Sequence, residues 1–103
     1  MIFGWFSTKQ HDAFAEKISS EFISKCPPEQ INTVKNRKSN EKINKAINNI
    51  YDEARVFKKE VRLNIYTKAK IGNKFMWALK EAGYEEEFVD ELTRKLLLVL
   101  GSK

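Results

Sequence analysis

Residues 40–71 read NEKINKAINNIYDEARVFKKEVRLNIYTKAKI. Within this stretch Ile43, Ile47, Ile50, Ala54, Phe57 and Val61 follow one another in alternating steps of four and three. That is the spacing of a helix-packing seam, because residues three and four apart share one face of an α-helix. After Val61 the pattern continues by fours through Ile65 and Ala69. Asn40 is placed to cap the helix, its side chain accepting from a free backbone N–H of the first turn. Gly72 and Asn73 are expected to break it. The alternative is a helix that runs on through Gly72, since Phe75 and Leu79 stay near the seam phase. A helix over 40–71 would be about 48 Å long at the standard rise. A domain of this chain length should be roughly 33 Å across, given a radius of gyration near ~13 Å. The sequence therefore predicts an elongated fold, a bent helix, or two chains packed side by side.

The flanking segments also read as helices. Ser7-Thr8-Lys9-Gln10 has the form of a capping box, with Phe6 as the preceding apolar residue. Phe14, Ile18 and Phe22 then recur every four residues, predicting a first helix over about 8–25. Pro27-Pro28 ends it, and Pro28, Ile31 and Val34 suit one short helical turn inside an otherwise loop-like stretch. A third helix is expected over about 74–82, with Phe75, Met76 and Leu79 on its apolar face. Gly83 stands where a left-handed terminator is expected, and Tyr84 can pack back on Leu79. The last helix begins at Glu85-Glu86-Glu87, three carboxylates suited to the positive end of a helix dipole. Asp90/Arg94 and Glu91/Lys95 are spaced for pairing within it. Its end, Leu96-Leu97-Leu98-Val99-Leu100, is apolar all round and should be buried on most sides. The fold class is thus all-α: a single-domain bundle of about four helices spanning 1–103, built around one long central helix (about 40–71).

Composition narrows function mostly by exclusion. The 103 residues are 42% hydrophobic and 12% aromatic, enough for one ordered core. No stretch approaches the ~20 apolar residues of a membrane span. The start, Met1-Ile2-Phe3-Gly4-Trp5-Phe6, lacks the charged region and length of a signal peptide. Cys26 is the single cysteine, so it cannot form an internal disulfide and reads as a small buried hydrophobe. A cytoplasmic protein is expected. His11 and Cys26 provide no zinc-type spacing, and His11 reads as an exposed helix residue. Serines without a histidine base, no outstanding acid pair and no glycine-rich phosphate loop argue against an enzyme. No catalytic residue, metal, cofactor or small-molecule ligand is evident.

Two surfaces remain. Net charge is +5, yet residues 35–80 carry 13 basic against 4 acidic groups. Lys45, Asn48, Arg55, Lys59, Arg62 and Tyr66 fall nearly opposite the seam, with Lys58 close by. Cations that reach phosphates beside an amide and an aromatic make a candidate nucleic-acid-binding stripe, although Asp52 interrupts it. The competing explanation is compositional: Lys, Asn and Ile, all with A/T-rich codons, make 32 of the 103 residues. A helix–turn–helix DNA reader around Leu79, Gly83, Val89 and Leu92 is disfavoured, because three glutamates would meet the phosphates first. The apolar start carries only Lys9 as a nearby cation, so a membrane-surface anchor is disfavoured and folding back onto the core is expected. The second surface is apolar. Val56, Leu63, Leu97 and Leu98 exceed what one small core needs and form a candidate interface. The leading expectation is a non-catalytic protein–protein interaction or homo-oligomeric module. The alternative is a nucleic-acid-binding protein using the basic face of the long helix.

Overall fold

A computed structural model describes the backbone of residues 2–33 and 40–101, and the side chains from residue 10 onward within those ranges. Every element among the described residues is helical: α1 (Ile2–Lys25), α2 (Pro28–Thr33), α3 (Glu41–Glu60), α4 (Ile65–Ala82) and α5 (Glu86–Gly101). The all-α class is as expected. α2 is the single turn opened by Pro28, buried through Ile31; Val34 lies outside the described residues.

The long central helix does not exist. α3 stops at Glu60, where Val61 turns to extended backbone (φ −122°, ψ 129°). Asn64 then starts a new helix. Its Oδ1 accepts from the Thr67 N–H at 2.8 Å, while its own N–H donates to Thr67 Oγ1 at 2.9 Å. This reciprocal cap satisfies two backbone donors locally, and so competes with continuing the helix. The seam spacing crosses the break undisturbed in the sequence, because Ile65 follows Val61 by four.

Gly72 is not the breaker either. α4 runs through it, and a Cβ on Gly72 would stand 2.8 Å from Leu97 Cδ2 of α5. The glycine lets α4 and α5 approach closely, which offsets its unfavourable helix propensity of about 1 kcal/mol. The true end of α4 is the predicted one. Gly83 is left-handed at φ 112°. The Tyr84 N–H donates to Leu79 O at 3.3 Å and the Gly83 N–H to Lys80 O at 3.2 Å, the two bonds of a Schellman termination.

α1 begins at Ile2, ahead of the expected cap at Ser7. Residues 2–6 contain no proline and extend α1 despite Gly4, so Ser7 lies inside the helix rather than at its start. The side chains of residues 2–9, and with them the expected packing of the apolar start, lie outside the described ones.

The four long helices form an up-down-up-down bundle. Phe14 stacks on Phe57 at 4.2 Å and Lys17 reaches Glu53 at 3.1 Å, so α1 and α3 are antiparallel. Lys74 meets Glu16 at 3.1 Å and the Tyr84 hydroxyl donates to Cys26 O, so α1 and α4 are parallel. Gly72–Leu97 and Lys80–Asp90 make α4 and α5 antiparallel. α1 and α5 each pack on both α3 and α4, while α3 and α4 stand at opposite corners. The core is Phe14, Ile18, Phe22, Ile43, Ile50, Ala54, Ile71, Phe75, Leu79, Phe88, Leu92 and Leu96 with their neighbours. Ile50, placed at the seam centre by its spacing, is buried there. The molecule measures 47 × 27 × 20 Å. Its length follows α1, whose 24 residues correspond to about 36 Å of helix. No helix among the described residues is long and apolar enough to cross a membrane.

Candidate interaction surfaces

The basic stripe is only half assembled. Lys45, Asn48, Arg55 and Lys59 are exposed on the outward face of α3, as their positions opposite Ile43, Ile50 and Ala54 require, and Lys58 is half-buried at its edge. Arg55 Nη1 is bonded to Asp52 Oδ1 at 2.7 Å, so the interrupting acid neutralises one of its members. Arg62 is exposed in the connection between α3 and α4. Tyr66 stands on the first turn of α4, 77% exposed, at the opposite corner of the bundle. The helix break therefore takes Arg62 and Tyr66 off the stripe. The same geometry divides the described part of the basic middle: α3 and α4 stand at opposite corners, so their cations do not form one patch, and Lys35, Arg37 and Lys38 lie outside the described residues.

The apolar candidates also separate. Val56 is exposed among Lys45, Asp52, Arg55 and Lys59 on α3, an isolated hydrophobe on a polar face. Leu63 is half-buried and packs against the core at the end of the bundle. Leu97 lies against Gly72, partly exposed in the groove between α4 and α5. Leu98 points outward from α5 and is 67% exposed, so the apolar end of this helix is not enclosed as expected.

Exposed large hydrophobes concentrate on one hairpin. Five of the six exposed large hydrophobes among the described residues belong to the antiparallel α4–α5 pair: Ile65, Tyr66 and Trp77 of α4, and Leu97 and Leu98 of α5. On α4, Tyr66, Asn73 and Trp77 fall on one stripe directly opposite Ile71, Phe75 and Leu79. Trp77 is 58% exposed, and the Lys80 ammonium sits 5.7 Å from its ring centre. That ammonium also reaches Glu86 and Asp90 at 3.9 and 3.7 Å, tying the tryptophan's edge to α5. Trp77 and Ile65 are absent from the candidates read in the sequence. Ile65 falls on the expected buried seam with Ala69, whereas it is 84% exposed and Ala69 is exposed too. A helix ending at Gly72 with a second starting at 74 hides the common phase of Trp77 and Tyr66. The signal was present: one uninterrupted wheel over 65–82 aligns Tyr66, Asn73 and Trp77.

His11 corrects the expectation of an exposed residue. It is 1% exposed, edge-on to Phe57 with ring centres 6.1 Å apart, and neither ring nitrogen has a hydrogen-bond partner. Burial holds its pKa below the ordinary histidine value. Its place on the wheel beside Phe14 and Ile18 predicts burial; the polar side chain obscured that reading. Cys26 is buried, and burial pushes its thiol up, away from the reactive thiolate.

One carboxyl pair comes together that the sequence did not single out. Hydrogen bonding to Glu53 raises Glu21. Glu53 loses by burial but is held low on balance by its hydrogen bonds to Glu21 and Lys17. The group stands at the solvent edge of the α1–α3 contact and works there as a polar clasp. Among the described residues no cluster of His, Cys, Asp and Glu is placed to hold a metal ion. No protein-family model, curated protein or solved structure matches this chain.

Proposed function

We propose that this protein is a non-catalytic interaction module that pairs with a second copy of itself through the outer face of the α4–α5 hairpin. The observation that carries the reading is that five of the six exposed large hydrophobes among the described residues, Ile65, Tyr66, Trp77, Leu97 and Leu98, belong to this helix pair. A helix pair that leaves this much apolar side chain uncovered is a candidate docking element, whereas a single exposed hydrophobe such as Val56 is ordinary. Tyrosine and tryptophan are also the side chains that most often carry interface energy.

Charge favours a second copy as the occupant. Along the outer face of α5 the order is Glu87, Glu91, Arg94, Leu98, acidic first and basic after. A copy laid antiparallel brings its Arg94 against Glu91 and its Leu98 against the methylenes of Glu87, each twice about a two-fold axis. Trp77 reports the event. In a Trp5→Phe background its emission should shift to the blue as protein concentration rises through the micromolar range, and return on dilution. Emission that stays solvent-like at every concentration contradicts the proposal.

The second reading, nucleic-acid binding, is favoured by the common outward face of Lys45, Arg55 and Lys59. It expects salt-sensitive anisotropy changes with labelled DNA or RNA. Those changes should vanish in the folded triple variant Arg55→Glu, Lys59→Glu, Arg62→Glu.

A further inference from the structure

The end of α1 and the first turns of α3 enclose a cleft of about 390 Å³, lined by Ser24, Lys25, Lys42, Lys45, Ala46 and Asn49. Because these helices are antiparallel, the last turn of one lies beside the first turn of the other, and three lysines from two helices reach one opening. Lys25 suits its position, since a cation at a helix C-terminus is favoured by the dipole; Lys42, in the first turn of α3, is disfavoured by the same effect. The three lysines are exposed, so their mutual repulsion is modest and screened by salt. Two acids stand one turn away, Glu21 before Lys25, whose charge acts on it, and Glu41 before Lys45; Glu53 is engaged by Lys17 at 3.1 Å. Lys42 and Lys25 both act on the thiol of Cys26, which places them close to the same point at the end of α1. Three lysines against two nearby acids leave the opening net positive, which favours an anion.

We propose that this cleft binds a phosphomonoester carried on a small organic body, with Lys25, Lys42 and Lys45 around the phosphate. Lysine serves phosphate as a mobile point charge, and three of them from two helices can surround one phosphate. The volume exceeds a bare phosphate and falls in the range of small-molecule sites, roughly 300–1,000 Å³. Ala46 and the lysine methylenes offer apolar floor, and Ser24 and Asn49 offer hydrogen bonds to the remainder. The proposal is independent of the α4–α5 face.

The test is an NMR titration of the isotope-labelled full chain with adenosine monophosphate, using adenosine as the phosphate-free control. Saturable amide shifts centred on Ser24–Cys26 and Lys42–Asn49 are expected, with inorganic phosphate competing. Lys42→Gln and Lys45→Gln, both at exposed positions, should each weaken binding by roughly tenfold or more. Lys25→Gln, on the other helix, supplies an independent variant should the first pair disturb α3. Absence of saturation at millimolar probe overturns the proposal, as do equal shifts from adenosine or lysine variants that bind like the native chain. Saturation of the same amides by a single-stranded oligonucleotide, without saturation by the monophosphate, also overturns it and points to nucleic-acid backbone.

Discussion

The two ends of the bundle are finished differently. At the end where α1 stops, polar groups are closely accounted for. Asn32 of α2 donates to Gly83 O at 2.9 Å and accepts from the Glu85 N–H at 3.2 Å, using both sides of its amide. The Tyr84 hydroxyl donates to Cys26 O, and Phe22, Tyr84 and Phe88 form an aromatic cluster beneath. At the other end His11 is buried with both ring nitrogens unpartnered, and Ile65 and Tyr66 stand in solvent. Farther along the same hairpin, Thr93 Oγ1 is likewise buried without a partner, one turn from the exposed Leu97. At the first end the described buried polar groups find their partners within one chain. The second retains unsatisfied polar groups and uncovered apolar surface, the combination expected where a protein has further contacts to make.

The largest expected effect lies between the ends and calibrates both. Ile50→Asp buries an unpaired charge in the core and should abolish the cooperative thermal melt and most helicity. A variant that melts like the native chain would remove Ile50 from the core. At the closed end, Tyr84→Phe should cost about 1–3 kcal/mol, because it leaves the buried Cys26 carbonyl without its donor. A denaturant midpoint unchanged from the native chain would mean that water already serves that carbonyl. On the hairpin, Gly72→Ala would set a Cβ 2.8 Å from the tip of Leu97, which is partly exposed and can turn toward solvent. The change should therefore fall short of the gain of about 1 kcal/mol expected in an unconstrained helix, and a full gain in the denaturant midpoint would mean that Leu97 does not press on Gly72.

The smallest effect separates the ends by pH. His11 has a folded pKa below its ordinary value of 6.5, so the unfolded chain takes up a proton more readily than the folded one. Stability is therefore fully present above pH 6.5 and falls as the pH drops from there toward the folded pKa. His11→Leu removes this dependence along with two unsatisfied nitrogens. It should be neutral to slightly stabilising near neutral pH and should flatten thermal stability between about pH 6.5 and 5. An unchanged pH slope would assign the acid sensitivity to other groups.

These contrasts also mark what the sequence makes legible. Period and punctuation carried most of the fold. The four-residue steps of Phe14, Ile18 and Phe22, the proline stop after Cys26, and the Gly83–Tyr84 terminator all fall where the structure has them. The error concerned where one helix becomes two. Apolar spacing passes through Val61–Asn64 without a fault, and the competing signal, Asn64 and Thr67 capping each other, is a pair of ordinary polar residues. Gly72 looked like a boundary because a glycine that ends a helix and one that admits a neighbour are identical in sequence. The candidate surfaces inherited that error. Tyr66 and Arg62 were assigned to a face that stops at Glu60, and Trp77 was separated from Tyr66. Convergence of Lys25 with Lys42 and Lys45 depends on antiparallel packing of α1 and α3, which no local pattern encodes.

Sedimentation velocity of the native chain across a rising concentration series, with the double variant Trp77→Glu, Leu98→Asp alongside, tests the central claim most directly. Both substituted side chains are exposed, so the variant should keep its helicity and melt close to the native monomer. The account predicts a native monomer–dimer equilibrium and a variant that remains monomeric throughout. A native chain that stays monomeric at the highest concentration, or a variant that dimerises equally well, would contradict it.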